Sequence, residues 1–258
     1  METMRYSETK KSAKGPIIGL LLFVIIGGAI IFLAVKSEGE PVVVGQTKSD
    51  VQRLVDTEAT NQQDLSYEVK ENTVNDKTNA KIKANMTIPV ISVEGEALTE
   101  VNNTIEKTYT DMFSKLKEQM ASAESKYTYT VTYSKYENMI GNDKILSITM
   151  YSKIIDDAAK KNTMEKVDTY NIDLAKKQII KGGDMALNML GKDYKTKVRD
   201  SVKDYVVTQK AMMKEADFTY AMTGLENYYV KDGKLHVVFN EGELVDKKYS
   251  VLDITIEE

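Results

Sequence analysis

Apolar positions follow three distinct rhythms along this chain. The first is continuous: Pro16 to Val35 carries no charge and is crowded with Ile17, Ile18, Leu20, Leu21, Leu22, Phe23, Val24, Ile25, Ile26, Ile30, Ile31, Phe32 and Leu33. At about 1.5 Å of rise per residue the run spans roughly 30 Å, the thickness of a hydrocarbon core, where only a helix satisfies its own backbone. It exceeds the roughly 7–15 apolar residues of a secretory signal. It ends Phe32-Leu33-Ala34-Val35-Lys36 rather than on a small-x-small cleavage site. Residues 16–35 therefore predict one retained transmembrane helix in contact with lipid. Arg5, Lys10, Lys11 and Lys14 precede it, whereas Lys36, Glu38 and Glu40 follow. That asymmetry predicts a plasma-membrane protein with a cytoplasmic tail (1–15) and everything after the helix outside. Gly15 and Gly19 have the small-xxx-small spacing that lets two such helices approach.

Residues 36–63 are polar, with Gly39, Pro41 and Gly45 early, and read as a linker with a short helix around Asp50–Glu58. Residues 64–258 then predict an exported α+β domain, with subdomains of about 64–125 and 126–258. Its helices show the second rhythm. Leu98, Val101, Ile105, Tyr109, Met112, Phe113, Leu116 and Met120 recur at spacings of three and four within a helix over 96–123. Tyr194, Val198, Val202, Tyr205, Val206, Met212 and Met213 do the same over Asp193–Met213. Gly182-Gly183-Asp184 opens a shorter helix, with Asp184 as its expected N-cap.

The third rhythm is strict alternation. Strands are predicted at 65–69 and 80–91, separated by the turn-rich Asn72–Asn79, with Pro89 disfavouring a fully hydrogen-bonded position. Tyr127–Ile140 and Lys144–Ile155 flank Gly141-Asn142-Asp143 as a hairpin, and Met164–Leu174 extends the meander. Asn227–Val230 and Leu235–Phe239 flank Lys231-Asp232-Gly233-Lys234, and Tyr249–Ile256 closes the chain. The expected fold is α+β, a largely antiparallel sheet packed with two long amphipathic helices. Tyr127, Tyr129 and Tyr133 read as a sheet face beneath the first helix.

Composition narrows the chemistry. No cysteine is present, which excludes disulfides, thiolate metal sites and cysteine nucleophiles; one histidine, His236, is too few for a His-rich metal site. Thirty-nine acidic against 35 basic residues leave a net charge of −4, with no basic excess to neutralise nucleic acid. No P-loop, dinucleotide fingerprint, zinc-protease helix or serine elbow occurs, so no cofactor or metal is expected and the chain reads as non-enzymatic. Asp156-Asp157 and Glu241-Gly242-Glu243 are the concentrated acidic groups; adjacent acids are usually solvated loops, but Asp157 and Glu243 are the pair a glycan hydrolase would use. His236 lies opposite in phase to Leu235 and Val237, as a partly exposed strand residue.

Several motifs recur in a familiar order: Ile88-Pro89-Val90-Ile91-Ser92; Val101-Asn102-Asn103-Thr104-Ile105; Leu146-Ser147-Ile148; Thr169-Tyr170-Asn171-Ile172-Asp173-Leu174; Tyr228-Tyr229-Val230-Lys231-Asp232-Gly233; Val238-Phe239-Asn240. Together, across about 65–256, they resemble the paired extracytoplasmic domains of RsiV-like anti-sigma factors, also found beside polysaccharide deacetylase domains. The resemblance implies a single-pass protein with an external α/β sensing module, lysozyme as external ligand and a sigma factor as internal partner. A tail of residues 1–14 is too short to bury a core against a sigma factor. Where that family carries Gly-Gly-Ala-His, this chain has Asp156-Asp157-Ala158-Ala159-Lys160; after Phe-Asn it has Glu241-Gly242 in place of Pro-Tyr. The loops at Asp156, Asp157 and Lys160 and at Glu241, Glu243 and Asp246 are therefore the expected contact surface for a protein or cell-wall glycan outside a bacterial cell.

Overall fold

A computed structural model describes residues 65–223 and 226–256. The tail, the apolar run at 16–35 and the linker with its expected short helix lie outside the described residues. Among the described residues no helix is long and apolar enough to cross a membrane.

The alternating segments become strands wherever a neighbour supplies hydrogen bonds. β1 (Tyr67–Asp76), β2 (Ile82–Val93), β3 (Glu96–Ala97), β4 (Tyr127–Ile140), β5 (Asp143–Asp156), β6 (Lys161–Asp173) and β7 (Gln178–Ile180) form one seven-stranded sheet in the order β1-β2-β4-β5-β6-β7, with β3 beside β2. β1 runs through the turn-rich Asn72–Asp76, contrary to expectation, because β2 pairs with it residue by residue, Thr73 with Thr87 and Val74 with Met86. A partner strand overrides weak local propensity. β2 and β4 are parallel; every other pairing is antiparallel. Parallel neighbours need a crossover, and α1 (Thr99–Gln119) provides it. The sheet thus continues across residues 125–126.

The three-and-four stripe of α1 explains its placement. Val101, Ile105, Tyr109, Met112, Phe113 and Leu116 are all buried, and Phe113 stacks on Tyr129 of β4 with ring centroids 6.0 Å apart. Each such side chain contributes about 1.5–3 kcal/mol by leaving water.

A second sheet, β8 (Asn227–Lys231), β9 (Lys234–Phe239) and β10 (Leu252–Thr255), is antiparallel throughout. Its apolar face, including Val230, Leu235 and Val237, packs with α2 (Gly182–Leu190) and α3 (Tyr194–Lys203) through Met185, Val198 and Val202. The second long helix expected to Met213 is not formed. α3 ends at Lys203, and Asp204–Gln209 is a π-helical turn. Consecutive β-branched residues at Val206, Val207 and Thr208 are poor helix formers, while Val206 remains buried against the core. Asp184 is not the N-cap of α2 either; Lys181 holds that position, and Asp184 lies in the first turn, where its negative charge complements the helix dipole.

Asparagine side chains close strand edges that no strand covers. Beyond Met86 β4 no longer pairs with β2, and there Asn102 accepts from the Ile91 N–H at 2.8 Å and donates to the Ile91 carbonyl at 2.9 Å. Pro89, which pairs with Glu71 of β1, lies in the same stretch that β4 has left, where a missing N–H costs little. On β6, Asn240 accepts from the Val167 N–H at 2.6 Å and donates to its carbonyl at 3.1 Å; Asn227 accepts from the Thr169 N–H at 3.3 Å. β8 is closed from the large sheet: Asn171 donates to the Tyr228 carbonyl at 2.6 Å, Asn138 to the Val230 carbonyl at 2.8 Å, and Ser147 accepts from the Val230 N–H at 3.1 Å. A carboxamide carries one acceptor and a donor pair, so it substitutes for a peptide group across an open edge.

Candidate functional site

The acidic pair of the first loop sits at the β5–β6 turn. Asp156 Oδ1 accepts from the N–H groups of Ala158 and Ala159 at 2.9 and 3.0 Å, which winds the chain into an Asx turn. Asp157 accepts from the Thr128 hydroxyl and forms an ion pair of 3.2 Å with Lys83, tying the turn to β4 and β2. Lys160 is exposed at φ 54°, the left-handed conformation that reverses the chain. The second loop is latched in the same way. Glu243 Oε2 accepts from the Asn240 N–H at 2.7 Å, Asp246 Oδ1 accepts from the Lys248 N–H at 3.1 Å, and Glu241 is half-buried beside them.

The two loops are not brought together. Asn240 is fixed to Val167, and from Val167 to Lys161 at the turn β6 covers about 20 Å at roughly 3.3 Å per residue. Asp157 and Glu243 thus lie at separate places along β6, each engaged with local partners. Among the described residues no group of three or more His, Asp or Glu side chains converges as a metal would require.

These latches make the loops acid-sensitive. The Thr128 hydrogen bond first, and Lys83 after it, hold the Asp157 carboxyl below its ordinary value; the Ala159 N–H does the same for Asp156. A carboxylate whose folded value is depressed adds stability above the ordinary carboxylate range and loses it as pH falls through the folded value. The melting temperature is expected to hold from about pH 7 to pH 5 and to fall below about pH 4. Thermal melts across that range check this, and a melting temperature that rises on acidification contradicts it.

Sequence reasoning left His236 without a partner; the structure gives it one. Asp253 on β10 lies 3.0 Å from His236 Nδ1 through Oδ1 and accepts the Tyr229 hydroxyl through Oδ2. The Tyr229 ring is stacked between His236, at 4.6 Å, and Tyr136 of β4, at 5.4 Å, and the Lys231 ammonium lies over Tyr136 at 5.5 Å. Burial pushes the Asp253 carboxyl up, but hydrogen bonds from His236 and Tyr229 together with the nearby Lys231 charge outweigh it and leave it below the ordinary range. Burial, then Asp253, drive the Tyr229 phenol far above its usual value, so it stays a donor. One signal was present in sequence: alternation places residues 236 and 253 on one face of adjacent strands once their register is known.

A cleft of about 310 Å³ lies where β7 enters α2, lined by Ile145, Asp173, Lys176, Lys181, Asp184 and Met185 among others. Asp173 accepts from the Ala175 and Lys176 N–H groups and forms a 2.6 Å ion pair with Lys176. The charges in the cleft therefore include an internal pair that holds the β6–β7 turn. Gly182 opens α2 against β8 so closely that a Cβ there would lie 2.4 Å from the Tyr228 ring.

No family model and no curated protein matches the chain. Among solved structures, a DUF3298 family protein from Pseudomonas aeruginosa PAO1 matches at 13% identity with a TM-score of 0.50, over 74% of this chain and 90% of its own. A DUF3298 family member from Bacteroides fragilis NCTC 9343 gives 15% identity and a TM-score of 0.46, over 76% of this chain and 92% of its own. At such identity the likeness to the first is one of fold alone: the described domain is similar in fold to a DUF3298 family protein.

Proposed function

We propose that this chain is a non-enzymatic binding or sensor module, held by residues 16–35 in a bacterial plasma membrane with its α+β domain on the outer side. The ligand is a protein or a cell-wall glycan. What carries the reading is how the acidic side chains are used: Asp156, Asp157, Glu243 and Asp246 each hold their own loop in one shape. Preshaped loops bind at lower entropic cost than loops ordered on contact. The apolar run, the charge asymmetry about it and the DUF3298 fold support the setting.

Lys160 and Glu241 are the loop residues best suited to a test, because the hydrogen bonds and the Lys83 ion pair that latch the two loops run through other side chains. The immobilised full chain is expected to retain envelope proteins or wall fragments. Combining Lys160→Glu with Glu241→Lys is expected to lower that retention about tenfold, the loss of roughly 1.4 kcal/mol. Retention unchanged by the double reversal removes these loops as the contact surface.

A further inference from the structure

β1 stands at the open end of the large sheet, and among the described residues no strand or backbone group pairs with its outer edge. This contrasts with the edges of β2, β6 and β8, each closed by asparagine side chains. β1 is charged at Glu68, Lys70, Glu71 and Asp76 but lacks the other usual protections of an exposed edge. It is ten residues long, pairs with β2 without a register shift, and contains neither proline nor glycine. The Glu94 N–H bonds to the Ser66 carbonyl. By alternation the even-numbered residues of β1 face β2, and Tyr67, Val69, Glu71, Thr73 and Asn75 present their backbone groups outward.

We propose that a second copy of this chain docks on this edge by antiparallel strand pairing, with a two-fold axis at Val69. Charge selects the register. Two strands related by an axis perpendicular to the sheet pair residues of the same face. An axis at Val69 puts Lys70 opposite Glu68 of the second copy, and Glu68 opposite its Lys70. An axis at Lys70 or at Glu71 sets like charges face to face, and one at Asn72 sets Glu68 against Asp76. Only a few residues overlap on each side, so the pairing is weak between free molecules. Tethering in one membrane raises its effective concentration, but the pairing itself rests on β1 and not on the ligand reading above.

The absence of cysteine makes the test direct. At Val69 two hydrogen-bonded partners would have Cα atoms about 5.5 Å apart, within disulfide range, whereas Glu71 would lie opposite Tyr67 and not opposite itself. The purified full chain carrying Val69→Cys is expected to form a covalent dimer on mild oxidation, and chains carrying Glu71→Cys or Thr73→Cys are not. Adding Lys70→Glu to Val69→Cys lowers the dimer yield about tenfold, and adding Glu68→Lys as well restores it. Equal cross-linking at all three positions, no dimer from Val69→Cys in a chain that melts like the parent, or a single reversal without effect overturns the proposal. A monomeric Val69→Cys chain also assigns the edge to some other occupant, another protein or a segment of the same chain.

Discussion

Replacing Asn171 by leucine is expected to cost the domain about 2–6 kcal/mol, one to three for each buried donor or acceptor left unsatisfied. Asn171 is 2% exposed and bridges the two sheets: its amide donates to the Tyr228 carbonyl at 2.6 Å while its Oδ1 accepts from the Ser147 hydroxyl at 2.7 Å. Leucine matches the side chain in size and removes both bonds. The Tyr228 carbonyl then faces an apolar group across the seam. Asn171→Asp keeps the acceptor for Ser147 but sets a buried carboxylate against that carbonyl, and is expected to cost no less. Urea unfolding followed by circular dichroism checks both: the midpoint falls while the slope holds. A midpoint unmoved by Asn171→Leu contradicts the idea that carboxamides hold the small sheet to the large one.

Phe113→Ala carries the other large effect, about 3–5 kcal/mol, from lost burial and the cavity left under α1. The ring is buried, parallel to Tyr129 within 3°, with the Lys117 ammonium 4.8 Å from its centroid. Around it, Tyr109 donates to Asp168 at 3.3 Å, so the layer between helix and sheet is partly polar and cannot simply collapse onto a hole. Phe113→Leu, which keeps most of the volume, is expected to cost under about 1.5 kcal/mol. The same unfolding measurement separates them, and equal losses from the two substitutions contradict a packing role.

The local features of this fold were legible in the sequence, and the long-range ones were not. The stripe from Val101 to Leu116 gave α1, and its face is the buried one. Gly141 at φ 62° and Gly233 at φ 75° sit in the two hairpin turns that their neighbours suggested. By contrast, nothing in an alternating run says which strand lies beside it, so the parallel contact of β2 with β4, and the separate small sheet, stayed hidden. The end of α3 was missed because apolar spacing continues through Val206 and beyond while the backbone widens into a π-helical turn.

The motif residues behave differently from what a binding site would show. Asn102, Asn171 and Asn240 each lie in a segment that carried the family resemblance, and each closes a strand edge. That resemblance therefore reports how the fold is sealed. In the candidate loops the acids were visible from the start, but their work as turn latches depends on backbone geometry that a list of side chains does not contain. His236 needed Asp253, on the adjacent strand, before it had any chemistry to do.

The proposed topology is tested most directly by one thiol at a time, since the chain has no cysteine of its own. Lys160→Cys, exposed at the β5–β6 turn, is expected to react with a membrane-impermeant maleimide on intact cells. Ser7→Cys, ahead of the apolar run, is expected to react only after lysis. Labelling of Ser7→Cys on intact cells with Lys160→Cys protected would place the folded domain on the inner side and contradict the account.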